Sequence, residues 1–258
     1  MADALLQIEG LSKRFGGVVA SDDITLDVPQ GELHAIIGPN GAGKTTLIGQ
    51  LIGELAPDAG RVRFGGSDIT ALPTYRRSQL GLARSFQITS LFLDFTALDN
   101  VALAVQAHAG HSFHFWNGAR EESVLRAPAK AALARVGLAE RGDVPVANLS
   151  HGEHRQLELA LALATSPRML LLDEPMAGMG PEESARMVRL LRELKQDLTI
   201  LLIEHDMEAV FALADRITVL VYGRIIATGT GEDIRANAEV RQAYLGEQEA
   251  VGEGGPHG

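Results

Sequence analysis

The chain has 258 residues, 46% hydrophobic and 22% charged, with a formal net charge of −10 and no cysteine. That length supports one large α/β domain with a sizeable core. The acidic balance argues against a general nucleic-acid binder, which needs a basic face, and zero cysteine excludes disulfides and thiolate metal sites while fitting a reducing compartment.

The start of the chain carries Asp3 and Glu9 and lacks the basic-then-apolar order of a secretory signal. No apolar run approaches the ~18 residues a membrane helix requires. The densest, Leu157 to Leu172, is broken by Glu158, Pro167 and Arg168. A soluble protein is expected, with any membrane role through a partner.

Over Met1–Gln30 the apolar residues alternate as in strands: Leu6, Ile8 and Leu11, then Ile24, Leu26 and Val28. A turn at Pro29-Gln30-Gly31 leads to Leu33–Ile37, a continuous apolar run typical of a buried strand. A glycine-rich turn follows, then a helix from about Lys44 to Gly53 and a short strand, Val62–Phe64, closed by Gly65-Gly66. From about Phe95 to Ala164 the pattern is helical. Val124–Val136 reads as a helix disturbed at Pro128 and stopped by Gly137. Ser150 to Glu153 forms a Ser-x-x-Glu capping box ahead of Leu157, Ala160, Leu161 and Ala164 at i, i+3, i+4, i+7. Met169–Leu172 and Thr199–Ile203 are buried strands, with an amphipathic helix after Pro181 marked by Met187, Leu190, Leu191 and Leu194. Ile217–Tyr222 and Ile225–Thr228, flanking Gly223-Arg224, read as a hairpin. From Glu247 the Gly- and Glu-rich tail has the composition of a disordered segment. This alternation implies a mostly parallel sheet covered by helices, with the helical middle as an inserted subdomain.

Gly38-Pro39-Asn40-Gly41-Ala42-Gly43-Lys44-Thr45 matches the phosphate-binding loop pattern Gly-x4-Gly-Lys-Thr. Its small residues let consecutive N–H groups converge on phosphate oxygens, and the following helix points its positive end at them. Lys44 would reach the β and γ phosphates of ATP, and the Thr45 hydroxyl would ligate Mg²⁺. Met169–Leu172 ends in Asp173 and Glu174. Alone, such a pair reads as solvated charge at a strand exit. Downstream of a phosphate loop, Asp173 fits a second Mg²⁺ contact, through water, and Glu174 a general base.

Leu149-Ser150-His151-Gly152-Glu153 resembles the signature motif of ABC ATPases, usually Leu-Ser-Gly-Gly-Gln. With the two motifs above, and with Gln87 and His205, the chain resembles that family over residues 4–246. The resemblance implies a P-loop NTPase fold with an N-terminal antiparallel β subdomain. It implies a single domain over 1–246, its core about 1–86 and 165–246 and its helical subdomain about 87–164. It implies that Thr46 joins the phosphate loop, and that two ATPase subunits, the same or different, stack head to tail. Ser150 and Gly152 of one would then cap the γ-phosphate held by the other. Phe15 aligns with the aromatic that stacks on adenine, Gln87 with the glutamine that senses Mg²⁺ and the attacking water, and His205 with the switch histidine at the γ-phosphate. Taken alone, Phe15 reads as core, Gln87 as surface and His205 as structural. Two positions depart from the pattern: His151 stands where glycine is commoner, and Gly180 cannot supply the carboxylate usually found before Pro181.

A finer resemblance, to ATPases of branched-chain amino acid importers, rests on Leu202-Ile203-Glu204-His205-Asp206-Met207, on Ala243-Tyr244-Leu245-Gly246-Glu247, and on the long stretch Ala104–Ala127 with His111, His114 and Trp116. It implies two transmembrane permease subunits, an indirect substrate-binding protein, no nucleic acid, and a peripheral place on the cytoplasmic membrane face. The permeases are expected to dock near Gln87–Asp99, where Leu91, Phe92, Leu93 and Phe95 are too apolar for a plain exposed loop. The alternatives are the ATPase of an export system such as lipopolysaccharide export, a soluble ABC ATPase acting on DNA or ribosomes, and a small-molecule kinase.

Overall fold

The computed structural model describes residues 4–85, 91–109 and 118–243. In chain order its elements are β1 (Ala4–Phe15), β2 (Val18–Pro29), β3 (Leu33–Ile37), α1 (Lys44–Ile52), β4 (Ala59–Phe64), β5 (Ser67–Asp68), α2 (Thr74–Gln79), β6 (Leu82–Arg84), α3 (Ala97–Ala109), α4 (Gly118–Arg135), α5 (His151–Leu163), β7 (Met169–Asp173), α6 (Pro181–Leu194), β8 (Thr199–Ile203), α7 (Met207–Leu213), β9 (Arg216–Val221), β10 (Arg224–Gly229) and α8 (Gly231–Ala236). They divide between two units, one of Met1–Thr74 with Lys195–Gly258 and one of Tyr75–Leu194. The helical subdomain expected at about 87–164 falls inside the second.

In the first unit β1 and β2 form a long antiparallel hairpin, Phe15 opposite Val18 and Ala4 opposite Pro29. β4 joins the other side of β1 and β5 extends it, giving the order β2-β1-β4-β5. Alternation places Leu6 and Ile8 on the buried face, and a register shift between Ile8 and Leu11 lets Leu11 be buried as well. A second layer is built on β3, which runs parallel to both β8 and β9, while β10 turns back antiparallel on β9. All five residues of β3 and of β8 are buried, which is why both read as largely apolar runs; the run expected at Leu33–Ile37 is interrupted by His34, which is buried because its ring nitrogens meet Glu32 and Thr218. Ala35, Ile37, Ile217 and Val219 pack with Val210 of α7 and Ile234 of α8 as one apolar cluster. Three further side chains cap the N-terminal ends of α7 and α8: Asp206 accepts from the N–H groups of Glu208 and Ala209, and Thr230 and Asp233 form a reciprocal capping box.

In the second unit β6 and β7 run parallel, Leu82 opposite Met169 and Arg84 opposite Leu171. Helices α3, α4 and α5 pack on one another. α6 buries Met187, Leu190, Leu191 and Leu194, the stripe anticipated from their spacing.

Two local expectations shift. The helix expected to begin at Val124 begins at Gly118, and Pro128 lies inside it on an exposed face. The hairpin turn is Tyr222-Gly223, one residue earlier than anticipated, with φ of 48° and 78°. Both signs suit a two-residue turn whose twist matches the flanking strands. Tyrosine is a poor occupant of that conformation, and Tyr222 is 83% exposed. Replacing it with Asn removes the strain without touching the core. Tyr222→Asn is expected to stabilise the protein by about 0.5–1 kcal/mol, read as a higher urea midpoint at unchanged slope.

Candidate functional site

The glycine-rich loop leaves the C-terminal end of β3 and enters α1 at Lys44. Gly41 and Gly43 have φ of 78° and 104°, the left-handed region where side chains are strained. Packing is as demanding as conformation. A Cβ on Gly38 would lie 2.0 Å from the Leu220 carbonyl oxygen, and one on Gly43 2.1 Å from that of Ala20. The loop is therefore wedged between β2 and the β9–β10 hairpin. The Gly223 N–H donates to Ala42 O at 2.9 Å, the Asp22 N–H donates to Gly223 O at 2.8 Å, and Arg224 Nε donates to Asp22 at 2.6 Å. Lys44 is 8% exposed, and its Nζ donates to the carbonyls of Gly38 and Pro39. Its ammonium is thus held over the mouth of the loop, while Thr45 is exposed in the first turn of α1.

Ile36 of β3 pairs with Ile203 of β8, so the phosphate loop and Glu204-His205 emerge from neighbouring strand ends. Glu204 is 1% exposed, and its carboxylate accepts from the N–H groups of His205 (2.9 Å) and Asp206 (3.3 Å). It fixes the backbone that presents His205, whose Nδ1 lies 3.7 Å from the same carboxylate and whose side chain is 67% exposed. Phe15 is exposed, with the Lys13 ammonium 5.6 Å from its ring centroid. That placement sets aside a core role for Phe15.

In the second unit β7 ends at Asp173, which is buried and accepts from Arg84 Nη2 at 3.1 Å. Glu174 follows with φ of 49°, a strained value for a residue with a side chain and of the kind that gathers at functional sites. The Ala177 N–H donates back to Glu174 O at 3.1 Å, closing the turn. Gln87 lies outside the described residues, as do His111, His114 and Trp116 and the tail from Tyr244. Among the described residues no cluster of His, Cys, Asp and Glu forms a ready metal site.

The capping box at α5 is complete. Ser150 Oγ accepts from the Glu153 N–H, and Glu153 accepts from the Ser150 N–H at 2.8 Å. Arg141 Nε adds a bond to Glu153 at 2.7 Å. Burial alone would raise the Glu153 carboxyl, but the Ser150 N–H and the Arg141 guanidinium outweigh it and hold its pKa below the usual glutamate value. Histidine in the next position turns its ring away from the helix start: His151 Nε2 lies 3.5 Å from Ala177 O.

Spacing alone missed Ala20, Gly223, Arg84 and Glu204. The first two act through backbone contacts between distant segments, which no local motif reports. Arg84 and Glu204 sit at strand ends beside motif residues, and a charge next to a fully apolar strand was their available signal.

Because the Glu153 pKa is depressed in the folded state, its contribution is present above the ordinary glutamate pKa and is lost as pH falls through the folded value. Glu153→Gln is therefore expected to lower the melting temperature at pH 7, and the gap to the unmodified protein is expected to close in acid, by thermal denaturation followed in a pH series.

Known proteins share this arrangement. The family model described as ABC transporter matches residues 21–177, and one described as Branched-chain amino acid ATP-binding cassette transporter matches residues 224–250. The chain is 39% identical over 254 residues to the high-affinity branched-chain amino acid transport ATP-binding protein BraF of Pseudomonas aeruginosa, covering 96% of this chain and 100% of that one. It is 38% identical over 256 residues to the corresponding protein LivG of Escherichia coli K12, with the same coverage. A crystal structure of the ADP conformation of an ATP-binding cassette of an ABC transporter superposes with a TM-score of 0.83 at 31% identity, covering 95% of this chain and 100% of that chain.

Proposed function

The chain belongs to the ABC transporter family of ATP-binding proteins, and from that membership we propose that it is the ATPase subunit of an importer for branched-chain amino acids or related small polar or amide solutes. The observation that carries the substrate class is the full-length similarity to BraF and LivG. The match of the C-terminal segment at residues 224–250 supports it independently of the general ATPase motifs. Within the family, this favours import over lipopolysaccharide export.

The residues divide the chemistry as follows. Gly38, Pro39, Asn40, Gly41, Ala42 and Gly43 form the phosphate cradle, in which Asn40, Gly41 and Gly43 offer backbone N–H groups while Pro39, which has none, accepts from the Ala42 N–H, with Lys44 as cation and Thr46 in the same first turn. Phe15 presents an exposed ring for adenine to stack on. The Thr45 hydroxyl and the Asp173 carboxylate are hard oxygen donors of the type Mg²⁺ selects, with Gln87 as a third. Arg84 Nη2 donates to Asp173 and fixes the orientation of its carboxylate. When bound, Mg²⁺ supplies charge neutralisation on the phosphate oxygens. Glu174 accepts the proton of the attacking water, and His205, steadied by Glu204, orients the γ-phosphate end. Ser150 Oγ accepts within the capping box, which leaves its O–H to donate. With the N-terminus of α5 it caps the γ-phosphate held by a second ATPase subunit. Two such subunits, identical or different, close over two nucleotides and draw on two permease subunits served by a substrate-binding protein.

Among the described residues no helix is long and apolar enough to cross a membrane, so force must pass through a docked partner on the cytoplasmic face. The segment before α3 suits that task. Phe92, Leu93 and Phe95 are all about half exposed, and Phe92 and Phe95 stack with centroids 5.3 Å apart. They sit on a rigid support, because buried Asn100 donates to the carbonyls of Phe92 and Thr96 and accepts from the Phe92 N–H. Beside them Phe95, Ala102, Leu103 and Leu125 line a 270 Å³ groove with Asp99 and Arg126 at its edge.

Two measurements test this reading. Glu174→Gln is expected to keep ATP affinity, to lower turnover by roughly 10²–10⁴-fold, and to trap a nucleotide-bound pair in size-exclusion chromatography; retained hydrolysis would remove Glu174 as the base. Phe92→Asp is expected to abolish co-purification with the membrane subunits while leaving basal ATPase activity intact; unaltered assembly and transport would remove the docking surface.

A further inference from the structure

The two departures from the usual motifs meet in space. The N-terminus of α5 interlocks with the segment that runs from Ala177 into the first turn of α6 through two side chains, each seated on a glycine of the opposite segment. His151 lies over Gly178, where a Cβ would sit 3.2 Å from its Nε2. Glu183 lies over Gly152, where a Cβ would sit 2.6 Å from its Oε1. Neither glycine tolerates a side chain without displacing its partner, and Gly178 has φ of 77° as well. Hydrogen bonds run through the same points. His151 Nε2 reaches Ala177 O at 3.5 Å, Ala177 N–H donates to Glu174 O at 3.1 Å, and Gly180 N–H donates to Glu183 Oε2 at 3.4 Å. Ala177 thus has the signature histidine on its carbonyl and the Glu174 main-chain carbonyl on its N–H, through the two successive peptide groups that it joins.

We propose that His151 and Glu183 are positioning residues that clasp the phosphate-capping end of α5 to the loop carrying Glu174, supplying within one subunit the linkage that Gly180 cannot make with a side chain. The proposal rests on the reading of the chain as an ATPase that works in pairs. Phosphate drawn onto Ser150 and Gly152 moves the start of α5. His151 and Glu183 carry that movement to Ala177 and Gly180, and the Ala177–Glu174 bond passes it to the catalytic carboxylate. The effect falls on turnover and not on ATP affinity, because neither side chain belongs to the phosphate loop.

The test is steady-state ATP hydrolysis by the full chain carrying His151→Ala, His151→Gln, Glu183→Ala or both alanines, with Glu174→Gln alongside. His151→Ala is expected to lower kcat by about tenfold at unchanged KM, and His151→Gln, whose amide still donates, to recover most of it. The double alanine variant is expected to lose less than the product of the single losses, since both clasps hold one loop. The exposed His151 is expected to change the melting temperature little. An unaltered kcat for His151→Ala, a change in KM alone, or equal losses in the Ala and Gln variants with a lower melting temperature would each overturn the proposal. If Glu174→Gln abolishes turnover while His151→Ala is silent, the clasp fails and the ATPase reading stands. If the unmodified chain does not hydrolyse ATP, both fall together.

Discussion

Everything the first unit presents depends on a close approach of backbone to backbone. Gly38 and Gly43 lie against the carbonyls of Leu220 and Ala20, contacts that a single Cβ would occupy at 2.0 and 2.1 Å. Glycine here does more than permit a turn. It lets β2, the phosphate loop and the β9–β10 hairpin share one small volume, sealed by the bonds from Gly223 to Ala42 and from Asp22 to Gly223. The loop's N–H groups are thereby aimed before any ligand arrives, which is the form electrostatic preorganisation takes at a phosphate site. The Asp22–Arg224 pair at the edge is exposed and adds little by itself. Its role is to mark how far apart in sequence the walls of the site are.

The second unit solves a related problem with different means. Its functional residues sit at a strand end and a helix start, and both are held by an arginine paired with a carboxylate. Arg84 stands on Asp173, and Arg141 on Glu153. Glu153 is also embedded in the capping box of α5, so that pair fixes orientation more than it adds stability.

Much of this was legible beforehand, for physical reasons that differ by element. β3, β7 and β8 are buried on both faces, so their apolar runs have no other soluble use. The Ser150–Glu153 box announces itself because both its bonds are local. The Thr230–Asp233 box escaped notice because Asp replaces the commoner Glu or Gln at its third position. The short β6 offers three residues, Leu82–Arg84, too few for any periodicity. The turn at Tyr222 was misplaced because tyrosine gives no sign of accepting a positive φ. Of the site, the residue types at the phosphate loop and strand ends could be read directly. The walls around them could not, since Ala20 and Gly223 matter only through where distant backbone runs.

That distance has a consequence for how the protein comes into being. β3 finds its neighbours in β8 and β9, and the bond from His34 to Thr218 across the sheet spans 184 positions. At ribosomal rates the strand that ends in the phosphate loop waits roughly 10–40 s for its partners to be synthesised. Its four apolar residues, Leu33, Ala35, Ile36 and Ile37, stay uncovered through that interval. Nucleotide recognition is therefore among the last properties the nascent chain acquires, and the hydrophobic strand beneath it is one of the segments most in need of shelter until then.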